Sequence, residues 1–130
     1  MRPERGGLRH QRKGREAMDL EIEFSQDGNS CIVALDGEVD VYTAPALRER
    51  LIEASETGCA TVVVDMTEVD FIDSSGLGVL VSALKRVREH DGQMRIVTAK
   101  EPILKIFRIT GLDRVFDLSP TLPEAVGSGD

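Results

Sequence analysis

The stretch TVVVDMTEVDFIDSSGLGVLV, residues Thr61 to Val81, decides the fold of this chain. It begins with a continuous apolar run, Val62-Val63-Val64, which is typical of a strand covered on both faces. A short acidic loop is predicted next, and a helix then begins at two paired serines, Ser74 and Ser75. Amide N–H groups point outward at a helix start, and the macrodipole there favours negative charge. A serine in this position is well placed to carry a phosphate, so the stretch is a candidate switch.

Strand patterns precede this segment. Residues 20–24 alternate apolar and charged side chains, as a half-buried strand does. Asp27-Gly28-Asn29 supplies turn chemistry, and residues 31–35 are predicted to return as the second strand of a hairpin. Thr43 is a plausible N-cap for a helix with Pro45 in its first turn, and Gly58 can close that helix.

The remaining segments continue the alternation of strand and helix. Residues 94–99 predict a strand, and Pro102 opens a helix that stops at Gly111. An edge strand is expected at 115–118 and a short helix at 122–126. The order predicts an α/β fold in one domain, with a mixed sheet of four to five strands and about four helices packed against it.

Composition excludes several classes of protein. The net charge of −7 argues against nucleic acid as the main partner. No apolar run approaches the roughly 20 residues that span a bilayer, and the N-terminus lacks the apolar core of a secretory signal. Cys31 and Cys59 match neither a redox nor a zinc spacing. We therefore expect a reduced, cytoplasmic protein without direct contact to nucleic acid or membrane.

The N-terminal residues differ from the rest of the chain. Residues 1–17 hold six basic and two acidic side chains, which leaves about +4 in this tail and −11 in the remainder. We expect a disordered tail at 1–17, a single domain at 18–126 and a flexible end at 127–130. The tail is either a basic arm for an anionic partner or an extension upstream of a second possible start at Met18.

The first candidate loop is residues 70–78, DFIDSSGLG. Either Asp73 or Ser74 can cap the following helix by accepting a bond from a first-turn amide. Gly76 and Gly78 leave room for the backbone of a partner protein or for a nucleotide phosphate. The alternative is structural: both serines only cap, and the glycines only permit close packing.

The second candidate loop is residues 36–40, DGEVD. If the strand before it lies beside the Val62-Val63-Val64 strand, Asp40 and Ser75 emerge at the same end of the sheet. Carboxylates there could orient a serine hydroxyl or recognise a partner. The alternative is a solvated acidic turn in which Asp40 leads into a helix.

The sequence argues against an enzyme. A serine hydrolase needs a histidine near a strained G-x-S-x-G turn, but His10 lies in the tail and His90 at the far end of the serine helix. No P-loop is present, and the acidic residues lack the spacing of metal ligands. We predict neither a cofactor nor a metal ion.

Four motifs together resemble a known family. DGEVD…TAPALRERL, VVVDMTEVDFIDSSGLGVLV, RIVTA and IFRITGLDRVFDL are similar to the STAS domain of bacterial anti-sigma factor antagonists. The resemblance runs from about Met18 to Leu118, and its most specific element is Asp-Ser-Ser-Gly-Leu-Gly. Only the tail and the shortened C-terminal helix depart from the family pattern.

The resemblance implies a partner-switching mechanism with Ser75 as the phosphoacceptor. The phosphate would come from an anti-sigma factor that is itself a serine kinase, and a PP2C-type phosphatase would remove it. The unphosphorylated form would bind the anti-sigma factor and release the sigma factor. Contacts with the partner are then expected at Asp40, Asp73, Ser74, Gly76, Leu77 and Gly78. Two alternatives stay open: a nucleotide-binding or sensing STAS module, and a structural module of a larger assembly or transporter.

Overall fold

The computed structural model describes residues 20–122, in which strands and helices alternate along the chain. In chain order the elements are β1 (Leu20–Asp27), β2 (Ser30–Val39), α1 (Ala44–Ser55), β3 (Thr61–Ile72), α2 (Ser74–Glu89), β4 (Gln93–Val97), α3 (Glu101–Thr110), a 3-10 turn (Leu112–Arg114) and β5 (Asp117–Ser119). The predicted α/β class is confirmed, and the mixed sheet has five strands where four to five were predicted. The predicted tail at 1–17, the flexible end at 127–130 and nearly all of the predicted helix at 122–126 lie outside the described residues.

The sheet has the order β1-β2-β3-β4-β5, so spatial order equals sequence order. β1 and β2 form the predicted antiparallel hairpin, and its turn places Gly28 at a φ of 61°, a conformation that glycine adopts without steric cost. The pairs β2–β3, β3–β4 and β4–β5 are all parallel. Each parallel pair needs a crossover connection, and the three helices provide these connections.

One apolar cluster joins the three helices to the strands. Its largest fully buried members include Leu35, Leu47, Met66, Leu80, Ile96 and Phe107. Val63 points the other way and belongs to a second cluster with Ile32 and Val97, against which Leu122 packs. Because Val62, Val63 and Val64 are all at most 1% exposed, the prediction of a strand covered on both faces is confirmed.

Both candidate loops are shorter than predicted, because β2 and β3 extend through them. Residues 36–39 belong to β2 and residues 65–72 to β3, whereas acidic loops were expected there. Asp65 is the last β3 residue that pairs with β4. Beyond it, β2 and β3 continue to pair with each other up to Val39↔Ile72. Two register irregularities and a φ of 133° at Gly37 accommodate the extension. The loops proper are thus short connections at the ends of these strands.

Two helix ends follow the sequence closely. α3 stops at Gly111, which has a φ of 78°, as its glycine predicts. His90 caps α2 from the surface, and its Nδ1 lies 2.9 Å from the carbonyl oxygen of Arg86. The predicted position of His90 at the far end of the serine helix is therefore confirmed.

The two cysteines are paired, contrary to the expectation of reduced thiols. Cys31, at the start of β2, forms a disulfide with Cys59, which precedes β3, and their Cα atoms are 5.8 Å apart. Parallel pairing brings these segments together, since the amide of Ala60 donates to the carbonyl of Asn29 at 2.9 Å. Their separation of 28 residues carries no signal of this contact in the sequence.

Candidate functional site

The start of α2 is capped by Asp73. Its Oδ1 accepts hydrogen bonds from the amides of Ser75 at 2.9 Å and Gly76 at 3.2 Å. The sequence left Asp73 and Ser74 as alternative caps, and the structure assigns the role to Asp73. Ser74 is exposed and Ser75 is half-buried. Within residues 20–122 neither serine hydroxyl takes part in a hydrogen bond, so both are left available for chemistry.

The two glycines of the motif occupy different environments. A Cβ at Gly76 would lie 2.4 Å from a methyl carbon of Val39 and 2.9 Å from Ile72, so the residue must be a glycine for α2 to approach the strand ends. A Cβ at Gly78 would have nothing within 4 Å, and this residue is exposed. Leu77 is 9% exposed and belongs to the main core cluster. Only Gly78 of these three leaves its space open to a partner.

Asp40 and Thr43 lock the connection between β2 and α1. The carboxylate Oδ1 of Asp40 accepts from the amides of Tyr42 at 2.9 Å and Thr43 at 3.0 Å. In return, the hydroxyl of Thr43 accepts from the amide of Asp40 at 2.9 Å and donates to the carbonyl of Glu38 at 2.9 Å. Thr43 is the N-cap residue of α1 by position, but its side chain makes no capping bond to the helix. It holds the preceding loop instead.

The two loops meet at the carboxyl ends of β2 and β3. The amide of Asp73 donates to the carbonyl of Val39 at 3.1 Å, which links the residue before Asp40 to the cap of α2. The side chain of Val39 also fills the space beside Gly76. The structure therefore brings Asp40 and Ser75 to one end of the sheet, as the parallel arrangement predicted.

The carboxylates at this end of the sheet serve the backbone of their own segments. Asp40 and Asp73 each direct one carboxylate oxygen at amides of their own loops. Among residues 20–122 there is no group of three or more His, Cys, Asp or Glu side chains that could hold a metal ion. No helix in this range is long and apolar enough to span a membrane.

Comparison with known proteins places the chain in a family. The family model for the STAS domain matches residues 21–125. The anti-sigma-B factor antagonist of Bacillus subtilis (strain 168) is 36% identical over 102 residues, which cover 78% of this chain and 93% of that protein. This chain belongs to the STAS-domain anti-sigma factor antagonist family. The antagonist of Staphylococcus aureus (strain NCTC 8325) is also 36% identical, over 73% of this chain and 88% of its own length.

A solved structure agrees with this assignment. An anti-sigma factor antagonist from Mycobacterium paratuberculosis superimposes with a TM-score of 0.79 at 27% identity, over 87% of this chain and 97% of that one. Anti-sigma factor antagonists are regulators of sigma factors and not enzymes, and their partner is an anti-sigma factor. In this antagonist the motif residues that resemble the family lie at the carboxyl ends of β2 and β3.

The sequence pattern pointed to Thr43 only as the N-cap of α1 and did not single out Val41 or Tyr42. Thr43 is 1% exposed and holds the Asp40 loop, while Val41 and Tyr42 are 58% and 65% exposed between them. The available signal was the D-x-x-T spacing of Asp40 and Thr43, which permits reciprocal side-chain to backbone bonds around a turn. Those bonds account for the outward position of the two residues in the middle.

Proposed function

We propose that this antagonist switches partners through phosphorylation of Ser75. The unphosphorylated form binds a kinase-type anti-sigma factor and thereby releases the sigma factor, and the phosphorylated form does not bind. The observation that carries the proposal is the capping of α2 by Asp73 alone. Because Asp73 satisfies the first-turn amides, the two serine hydroxyls have no structural duty among the described residues.

The phosphate would act at the interface more than on the fold. It adds a charge of roughly −1.5 to −2 and three acceptor oxygens. At an exposed helix start, the macrodipole stabilises such a charge by about 0.3–1 kcal/mol. Ser75 is the second residue of α2, so a phosphate there experiences this favourable field. The antagonist therefore keeps its fold when it is modified.

In the complex with the partner, the phosphate on Ser75 becomes unfavourable. Docking of a protein onto this end of the sheet removes water from a dianion close to the carboxylates of Asp40 and Asp73. An unpaired buried charge costs several kcal/mol, and about 1.4 kcal/mol corresponds to a tenfold change in affinity. The interface penalty thus exceeds the local gain at the helix start. A PP2C-type phosphatase would restore binding by removing the phosphate.

Burial narrows the surface that the partner can touch. Gly76 and Leu77 are buried in the contact between α2 and the sheet, so we assign them a structural role in shaping the site. Ser74 and Gly78 are exposed, and they form the part of the α2 start that a partner reaches directly. Asp40 and Asp73 contribute through the loops that they hold in place.

A labelling experiment decides which of the two serines accepts the phosphate. Exposure alone favours Ser74, whereas the resemblance to the family motif favours the second serine, Ser75. The purified protein is incubated with a kinase-type anti-sigma factor from the same genome and labelled ATP. Wild type and Ser74→Ala should be labelled, and Ser75→Ala should not. Labelling of Ser75→Ala at the wild-type level would reject the site assignment.

The nucleotide-binding alternative has less support from the geometry. A phosphate cradle needs open space at successive backbone positions, but Val39 and Ile72 fill the space beside Gly76. Titration of the antagonist with GTP or ATP in the absence of any kinase tests this alternative. Saturable binding that Ser74→Ala and Ser75→Ala both leave intact would favour it over the switch.

A further inference from the structure

Val41 and Tyr42 form an exposed apolar tip at the candidate site. They are 58% and 65% exposed, and they are adjacent in the chain. The other exposed large apolar residues of the described range are Phe24, Phe71, Ile109 and Val115. Single exposed apolar side chains are ordinary on protein surfaces, whereas contiguous exposed apolar surface marks interaction sites. The pair, here named the Val41–Tyr42 tip, lies directly after Asp40.

Hydrogen bonds hold the tip in place from below. The amide of Tyr42 and the amide of Thr43 both donate to Oδ1 of Asp40. The amide of Ala44 donates to the carbonyl of Asp40 at 2.8 Å, which starts α1 immediately behind the tip. The backbone on both sides of Val41 and Tyr42 is therefore fixed, while their side chains remain in solvent.

A fixed aromatic side chain is well suited to protein recognition. Tyrosine presents a large apolar surface with only two side-chain torsions, and it is enriched among the residues that dominate binding energy. A loop that is already ordered loses little conformational entropy when a partner covers it. Tyr42 is 65% exposed, so most of its apolar surface is not buried by the fold.

We infer that the Val41–Tyr42 tip is an apolar anchor that inserts into a pocket of the anti-sigma factor. This inference rests on the proposed function of the same site and names a contact that the motif residues do not supply. The tip is continuous with the site, because Val39, two residues before Val41, bonds through its carbonyl to the amide of Asp73. Asp73 in turn directly precedes Ser74, so a single backbone bond joins the segment that carries the tip to the start of α2.

The same inference gives Asp40 a defined role. Its Oδ1 is engaged by loop amides, so Asp40 positions the tip and is not itself the anchor. Asparagine at this position retains a side-chain oxygen that can accept both bonds, whereas alanine does not. The positioning role thus depends on the acceptor oxygen and not on the negative charge.

Titration calorimetry with purified kinase-type anti-sigma factors from the same genome and the unphosphorylated antagonist tests the anchor. Tyr42→Ala should weaken binding at least tenfold, and Tyr42→Phe should stay within about threefold because it keeps the ring. Ile109→Ala is the matched control, since Ile109 is 73% exposed on α3, and its affinity should equal that of wild type. Circular dichroism and thermal unfolding of all variants should match wild type. Wild-type affinity of Tyr42→Ala would overturn the anchor.

A second pair of variants tests the positioning role. Asp40→Asn should bind within about threefold of wild type. Asp40→Ala should bind more weakly, with a loss of binding free energy at least half of the loss caused by Tyr42→Ala. Equal losses for Asp40→Asn and Asp40→Ala would mean that the charge itself contacts the partner.

The outcomes separate the anchor from the switch. If wild type binds and phosphorylated wild type does not, but Tyr42→Ala binds normally, only the anchor fails. If phosphorylation leaves binding unchanged while Tyr42→Ala weakens it, the anchor stands and the switch fails. If wild type binds none of these anti-sigma factors, both are overturned.

Discussion

A methyl carbon of Val39 lies 2.4 Å from the position that a Cβ at Gly76 would occupy. This contact sets how closely the start of α2 approaches the ends of β2 and β3. It also gives the two glycines of the motif different roles, because a Cβ at Gly78 would have no neighbour within 4 Å. One glycine is required by packing within the chain, and the other is not.

The first prediction concerns this pair of glycines. Gly76→Ala should lower the free energy of unfolding by about 1–3 kcal/mol, because the added methyl group overpacks the contact with Val39 and Ile72. Gly78→Ala should raise it by about 0.5–1 kcal/mol, since alanine is the better helix former at an open position. Urea unfolding followed by circular dichroism measures both. Equal effects of the two substitutions would contradict the packing argument.

The second prediction concerns the cap of α2. Asp73→Ala should cost about 1 kcal/mol of unfolding free energy, because the amides of Ser75 and Gly76 lose their acceptor. Asp73→Asn keeps an acceptor oxygen and should cost less than half as much. Ser74→Ala is the control and should lie within about 0.5 kcal/mol of wild type, because Ser74 is exposed and makes no capping bond. A loss with Ser74→Ala as large as that with Asp73→Ala would assign the cap to the serine.

The third prediction concerns the disulfide. Reduction of the Cys31–Cys59 bond should lower the unfolding free energy by about 2–4 kcal/mol, because the bond restricts the unfolded chain across a separation of 28 residues. Thermal unfolding with and without dithiothreitol measures the difference. Cys59→Ser should unfold like the reduced wild type and should not respond to dithiothreitol. An identical response of both proteins to the reductant would show that the effect does not come from this bond.

The fourth prediction concerns a mimic of the modified state. Ser75→Asp should leave the circular dichroism spectrum native and change the unfolding free energy by no more than about 1 kcal/mol, since a negative charge at a helix start is mildly favourable. Its affinity for the anti-sigma factor should nevertheless fall at least tenfold. Ser75→Asn is the neutral control of similar size and should bind more tightly than Ser75→Asp. Loss of the native spectrum in Ser75→Asp would mean that the switch acts through unfolding.

Local patterns predicted most of the fold. The hairpin turn at Gly28, the start of α2 after Asp73 and the end of α3 at Gly111 all depend on residues within a few positions of each other. Parallel strands also place their carboxyl ends at one edge, so Asp40 and Ser75 were expected at one end on the condition that β2 and β3 are neighbours, which the sheet order fulfils. The hairpin turn and the two helix ends need no knowledge of distant contacts.

The remaining features depend on contacts between distant segments. Polar residues such as Asp36, Glu68 and Asp70 resemble loop residues locally, but pairing between β2 and β3 makes them strand residues. The different roles of Gly76 and Gly78 arise from Val39, which is distant in sequence. The cysteine pair depends on how the start of β2 meets the segment before β3. No local pattern could have predicted these three features.

The equality of spatial and sequence order in the sheet has a consequence for biosynthesis. Each strand after β1 pairs with a strand that was synthesised before it. The Asp40 loop, β3 and α2 are all complete once residue 89 has been synthesised, before β4 exists. The candidate site is thus built entirely from residues that precede β4, and β4 and β5 extend the sheet beside it.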